Sequence, residues 1–241
     1  MERGRHRLCP LFDFRGLGES TMRRVIDLSH PLEEGMTTHP GIPSPVIRPF
    51  LTCQDTTAHY APGVSFEVTR LEMVTSIGTY VDAPAHRYEG LPDLASIPLE
   101  RYVDLPGLVV DVRSQAGRAI GPKAFAGLPL VGRAVLVCTG WDAHWNTPAY
   151  LEPAPYLTAG ACRLLVDEGA ALVGADLLNV DDREDLSRPA HSLLLAAGLG
   201  LVENLRGLDQ LPPEGFRFHA APVAVRGGVA FPVRAYAVVG S

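Results

Sequence analysis

The sequence predicts an α/β fold, and three observations lead there. Residues 133–140, RAVLVCTG, form a short apolar run of strand length, residues 157–169, LTAGACRLLVDEG, have helical spacing, and residues 170–176, AALVGAD, form a second apolar run. Strand, helix and strand in that order imply a parallel pair joined by a right-handed crossover. Further short β-like runs occur on both sides of this unit, and a chain of 241 residues with 46% hydrophobic content can build one substantial core.

The elements follow in order. Val25 to Leu28 reads as a short strand, and residues 30–45, HPLEEGMTTHPGIPSP, as a Pro/Gly-rich loop carrying His30 and His39. Residues 64–83 supply one or two strands, with Phe66, Glu67, Val68 and Thr69 alternating as strand residues do. Within them Ser76, Gly78, Tyr80 and Asp82 share one face, with Ile77, Thr79 and Val81 on the other. Pro84 cannot donate to a ladder, so that strand ends near Ala83 and His86 falls on the turn beyond it.

Residues 92–103 read as a short helix and a connection, and residues 107–112, GLVVDV, as a buried strand. In the strand–helix–strand unit Thr158 is the candidate N-cap and Gly169 lies just past the helix end. Ligands sit at the carboxyl ends of such strands, which carry Thr139, Gly140, Trp141 and Asp176. Residues 188–211 read as a short helix, a break at Gly198 to Gly200, and a second helical piece. Residues 221–240 read as a hairpin turning at Gly227-Gly228.

Composition narrows the function classes. The formal charge of -6 is spread along the chain without basic clusters, which argues against nucleic acid and for a small-molecule substrate. Cys9, Cys53, Cys138 and Cys162 are far apart and read as reduced thiols. No apolar run reaches the ~18 residues of a membrane span and no signal-peptide core precedes the ordered segment, so a cytoplasmic protein without membrane contact is expected. Residues 1–21 read as a loose tail or as sequence before a start at Met22, and residues 22–241 as one domain.

Asp82, His86, His191 and Glu203 stand out chemically. His191 and Glu203 lie in apolar sequence, where an unpaired charge is costly, and a divalent cation held by two carboxylates and an imidazole would compensate them. A hydrogen-bonded core histidine and a turn-forming Asp-Ala-Pro account for the same residues without a site.

The chain resembles the cyclase family of bacterial kynurenine formamidases and isatin hydrolases, whose pattern H-x-G-T-H-x-D-x-P-x-H is matched here by S-I-G-T-Y-V-D-A-P-A-H. The resemblance extends over IDLSHPLEEGM, the PG turn, TGW at 139–141, VGAD, and HSLLL followed by GLVENL. It implies a swivelling β/β/α-type fold with a compact mixed sheet or barrel-like core, peripheral helices, and a homodimer or homotetramer. It also implies a hydrolase of a small amide, formamide or lactone, arylformamidase-like, with Asp82, His191 and Glu203 as metal ligands and His86 as acid/base.

Two ligand positions of the family pattern hold Ser76 and Tyr80. Both missing histidines belong to one metal of the family's pair, so the resemblance implies one Zn or Mn ion instead of two, or none. Tyr80 is then a candidate catalytic group, Ser76 and Trp141 are candidate substrate contacts, and His39 stands where kynurenine-type relatives have an aromatic residue. His30, His59, His144 and His219 read as structural or exposed. Two further readings use the same scaffold. One is a metal-free cyclase, isomerase or dehydratase built on His86, Asp82 and Tyr80, and the other is a non-catalytic binding protein.

Overall fold

The computed structural model describes residues 23–36 and 39–240, so the expectations for residues 1–21 and Cys9 lie outside the described residues. In chain order the strands are β1 (Arg24–Asp27), β2 (Val46–Leu51), β3 (Val68–Glu72), β4 (Tyr80–Asp82), β5 (Leu105–Asp111), β6 (Ala119–Ile120) and β7 (Ala134–Cys138). They continue as β8 (Tyr156–Leu157), β9 (Leu172–Ala175), β10 (Gly200–Glu203), β11 (Glu214–His219), β12 (Ala230–Pro232) and β13 (Tyr236–Val239). The helices are α1 (Cys53–Thr57), α2 (Ala159–Asp167) and α3 (Pro189–Ala196).

Nine strands form one mixed sheet in the order β1-β13-β11-β5-β7-β9-β10-β4-β12. Its centre, β5-β7-β9-β10, is parallel, and antiparallel strands flank it on both sides. The predicted crossover is present: β7 and β9 pair in parallel with Ala134 opposite Leu172, and α2 connects them. Thr158 caps α2, its hydroxyl accepting from the Ala161 amide at 3.3 Å.

The sheet curls into a half-barrel. Ser29, just past β1, forms a bridge to Leu205, just past β10, and its hydroxyl donates to the Val233 carbonyl at 3.0 Å. These links draw one flank of the sheet toward the other. The α/β architecture with a compact mixed, barrel-like core and peripheral helices is therefore the one expected.

The central strands are buried on both faces, as parallel strands are. Along β7, Ala134, Leu136 and Cys138 enter one core, which also holds Phe216 and Phe218, whereas Val135 and Val137 enter the other with Leu165 of α2 and Leu194 of α3. Leu201 and Val202 of β10 divide in the same way. Val81 of β4 belongs to the first core, so its neighbours Tyr80 and Asp82 point to the opposite face, which α2 and α3 cover.

Four local expectations are corrected. The second helical piece is the strand β10 from Gly200 to Glu203, and only a 3₁₀ turn at Leu208–Gln210 follows it. A four-residue apolar run carries no period long enough to separate strand from helix. Gly227-Gly228 does form a turn, but its arms do not pair with each other: β12 joins β4 at one edge, while β13 lies between β1 and β11. The helix expected in residues 92–103 is a 3₁₀ turn at Leu99–Arg101. Ser76 lies on a bend before β4 and not on the strand.

Among the described residues β2 and β3 pair only with each other, and this two-stranded arm exposes Phe50, Val68 and Leu71, with Phe66 exposed just before β3. Cys53, Cys138 and Cys162 are free thiols. No helix among the described residues is long and apolar enough to cross a membrane.

Candidate metal centre

Three elements converge on the α3 side of the sheet. β4 supplies Tyr80 and Asp82, β10 supplies Glu203 opposite Tyr80, and the first turn of α3 supplies His191. The 3₁₀ turn Pro84–His86 that follows β4 brings His86 to the same place. Ligand atoms of Asp82, His86 and His191 lie within 4.8 Å of one another. His86 Nδ1 is 3.5 Å from Asp82 Oδ1, and His191 Nε2 is 3.6 Å from Asp82 Oδ2 and 3.7 Å from Glu203 Oε1.

Asp82 is fully buried, and neither of its carboxylate oxygens has a hydrogen-bond donor. A buried carboxylate left bare is costly unless a cation meets it. The donor set of carboxylate and imidazole suits Zn²⁺ or Mn²⁺, so the residues present fit a divalent ion.

The groups behind these residues fix their orientation. His191 Nδ1–H donates to Asp181 Oδ2 at 2.6 Å, which leaves Nε2 facing Asp82 and Glu203. Asp181 also accepts from the Ala190 and His191 amides at 2.5 and 3.2 Å, closing the start of α3. A carboxylate behind a histidine in this way sets its tautomer and raises its basicity as a metal ligand. Burial opposes a charge on His191, but Glu203, Asp181 and Asp82 outweigh it and push the imidazole up to about 10.

Glu203 is shared between two donors. The Tyr80 hydroxyl donates to Oε2, and the Val180 amide donates to Oε1 at 2.9 Å. Burial, with Asp82 adding to it, pushes Glu203 up to about 7 against the opposing pull of His191. Burial and then Glu203 raise the Tyr80 phenol well above its usual value, so it stays protonated and its single proton is committed to Glu203.

Asn204, next in the chain, holds this strand end. Its φ of 56° lies in the left-handed region that Asn tolerates, its side-chain Nδ2 donates to the Gly78 carbonyl at 2.7 Å, and its backbone carbonyl accepts from the Thr79 hydroxyl at 2.5 Å. Asp181, Arg188 and Asn204 escape sequence reasoning. The signal for Asp181 is indirect: a ligating histidine needs an acceptor on its second nitrogen, and NVDD follows β9.

The remaining candidates have other settings. Ser76 is half-buried on its bend. Trp141 packs against the α2/α3 core, and its indole N–H donates to the Tyr150 carbonyl at 3.3 Å. Asp176 is taken up by the Thr139 and Gly140 amides and the Thr139 hydroxyl, which build the turn after β7. His39 lines a cavity of about 440 Å³ together with Arg188, whose guanidinium touches His191. Of the histidines left aside, His30 is buried, stacked on Trp145 at 3.8 Å and pushed down to about 4 by burial.

Residues 26–182 match the family described as putative cyclase. The chain is 29% identical over 216 residues to a kynurenine formamidase of Bacillus cereus, covering 87% of this chain and 95% of that protein. Its fold is similar to isatin hydrolase A from Ralstonia solanacearum, with a TM-score of 0.77 and 26% identity over 90% of this chain and 92% of the other. A predicted metal-dependent hydrolase from Bacillus stearothermophilus aligns with a TM-score of 0.71 and 27% identity over 90% of this chain and 98% of that one.

Proposed function

The chain belongs to the putative cyclase family, and on that premise we propose that it is a metal-dependent hydrolase of a small formamide, amide or lactone. The observation that carries this reading is the bare, buried Asp82 carboxylate facing His191 and His86. The kynurenine formamidase and isatin hydrolase relatives support a carbon–nitrogen bond outside peptides as the target.

Asp82, His191 and Glu203 would hold one Zn or Mn ion. Charge favours one ion over two: ionised Asp82, Asp181 and Glu203 set against Arg188 leave two net negative charges, which a single divalent cation cancels. Bound there, the ion supplies Lewis-acid stabilisation of a carbonyl oxygen and acidifies water. His86 is the acid/base group. Its side chain is 32% exposed while Asp82 and His191 are nearly closed off, so its imidazole is the one that meets both substrate and solvent. Its free ring nitrogen takes a proton from the attacking water and returns it to the departing amine or alkoxide. Asp181 keeps His191 Nε2 aimed inward, and Tyr80 holds Glu203 in place.

The exposed apolar side chains of the β2–β3 arm support a homodimer or homotetramer, because a lone two-stranded ribbon is at best marginally stable. Sedimentation of the purified chain checks this.

Elemental analysis of the untagged protein, combined with formanilide hydrolysis, tests the function. About one Zn or Mn per chain is expected, lost in Glu203→Ala and His191→Ala, with His86→Ala keeping the metal and losing turnover. Absence of metal after reconstitution would overturn the reading in favour of metal-free acid/base chemistry. Unchanged hydrolysis in His86→Ala would remove its assigned role.

A further inference from the structure

Beside the metal centre lies the cavity of about 440 Å³, a volume suited to a small molecule. Its wall carries three guanidiniums, Arg118, Arg183 and Arg188, against two carboxylates, Asp182 and Glu184. Asp182 is neutralised within the wall, accepting from Arg118 Nη2 at 3.0 Å. Arg183 uses Nη2 on the Leu151 carbonyl, and its remaining N–H groups make no hydrogen bond among the described residues. The cavity therefore offers unspent cationic donors.

Arg188 ties this cavity to the centre. Its Nε donates to Asp181 Oδ2 at 3.1 Å, while Nη2 lies 3.2 Å from His191 Nδ1 and 3.4 Å from Nε2. That nitrogen approaches both ring nitrogens almost equally. One end of the guanidinium thus touches a metal-ligand candidate, and Arg188 itself lines the cavity. Its backbone has a φ of 49°, a left-handed conformation that a non-glycine residue holds only when its surroundings dictate it. The α3 amides cannot supply the anion recognition, since Asp181 already occupies those of Ala190 and His191.

We propose that this cavity binds the part of the substrate remote from the scissile bond, and that it selects a carboxylate there through the unspent guanidinium N–H groups of Arg183, with Arg188 fixed beside it by Asp181 and His191. The proposal rests on the hydrolase reading for the word substrate, but the anion site itself does not. Planar guanidinium donors match the two oxygens of a carboxylate, which a neutral ester or amide does not reproduce.

Two measurements on the metal-loaded full chain test it. In the first, calorimetry compares benzoate with neutral benzamide. Benzoate binds more tightly in the wild type, its affinity falls at least tenfold in Arg183→Gln, is partly kept in Arg183→Lys, and rises in Glu184→Gln, where an opposing carboxylate is gone. Benzoate binding that is absent at millimolar concentration, or equal in wild type and Arg183→Gln, overturns the proposal. In the second, kcat/KM for 4-formamidobenzoate, whose carboxylate lies across the ring from the formamide, is divided by that for its methyl ester. That ratio exceeds one in the wild type and drops at least tenfold in Arg183→Gln, chiefly through KM; an unchanged ratio overturns the proposal. If neither compound is hydrolysed while benzoate still binds through Arg183, the hydrolase reading falls and the anion site stands.

Discussion

Tyr80→Phe removes one hydroxyl from the centre and should produce two effects of opposite sign. In the metal-free protein the Tyr80 proton is bound to Glu203, whose other oxygen is held by the Val180 amide. A hydrogen bond to a charged group contributes about 1.5–3 kcal/mol, and Glu203 is fully buried, so water does not replace the lost donor. For a chain of this size each kcal/mol moves Tm by roughly 2–4 °C, so metal-free Tyr80→Phe should melt about 3–12 °C below the wild type. Metal binding should move the other way. A cation that draws on Glu203 competes with the phenol, so releasing Glu203 tightens binding by about ten- to a hundredfold over the same energy range. Calorimetric melting in chelator, followed by Zn²⁺ and Mn²⁺ titration, reads both. Unchanged melting would refute the hydrogen bond's importance. Weaker metal binding would show that the orientation Tyr80 gives Glu203 outweighs the competition, and would refute the predicted gain in affinity.

Asp82→Asn removes the bare buried carboxylate, so metal content should fall to zero by elemental analysis; a variant that keeps about one metal per chain would refute the role of that group as a ligand. Asp181→Asn keeps the shape but takes away the acceptor behind His191, and metal affinity should fall about 10–100-fold, read by titration. In the metal-free protein His191 sits at about 10 against an ordinary 6.5, so its contribution to stability is complete below about 6.5 and is lost as pH rises toward 10. Melting temperatures in chelator should therefore decline from pH 7 to pH 10, and His191→Gln should flatten that decline. Gly107→Ala places a Cβ 1.9 Å from a Phe216 ring carbon, and denaturant unfolding should show a loss of at least about 1–3 kcal/mol.

The parts of the fold legible in the sequence are those whose partners are close along the chain. β7, α2 and β9 form a continuous unit, and the helix between the strands fixes their parallel pairing. β10 escapes because its four residues become a strand only by insertion between β9 and β4, whose residues are far away in sequence. The Gly227-Gly228 turn misleads for a related reason. The turn exists, with the Gly228 amide donating to the Val225 carbonyl at 3.0 Å, but Val229 and Ala230 are captured by the β4 edge. The chain then crosses to the opposite flank, where β13 fills the gap between β1 and β11.

The same distinction governs the site. Asp82 and His86 share one motif, and the single turn at Pro84 brings them together, so their proximity follows from local geometry. His191 and Glu203 are chemically conspicuous in the sequence, but their meeting with Asp82 depends on β10 pairing with β4 and on α3 packing against β10 and the turn after β4. Ser76 and Tyr80 divide along this line too. Placing Ser76 on the site face assumed a strand reaching back to it, whereas β4 begins only at Tyr80 and a bend precedes it. Gly78, with a φ of 63°, breaks the alternation between them, and Leu32 fills the space a side chain there would need, at 2.6 Å. Tyr80 stays on the face and gains a role that no local pattern predicts, because its acceptor lies 123 residues later on the neighbouring strand. A phenol in place of an imidazole keeps this position neutral and exchanges a metal-binding lone pair for a hydrogen-bond donor. Glu203 thereby keeps a hydrogen-bond donor on each oxygen when no ion is bound.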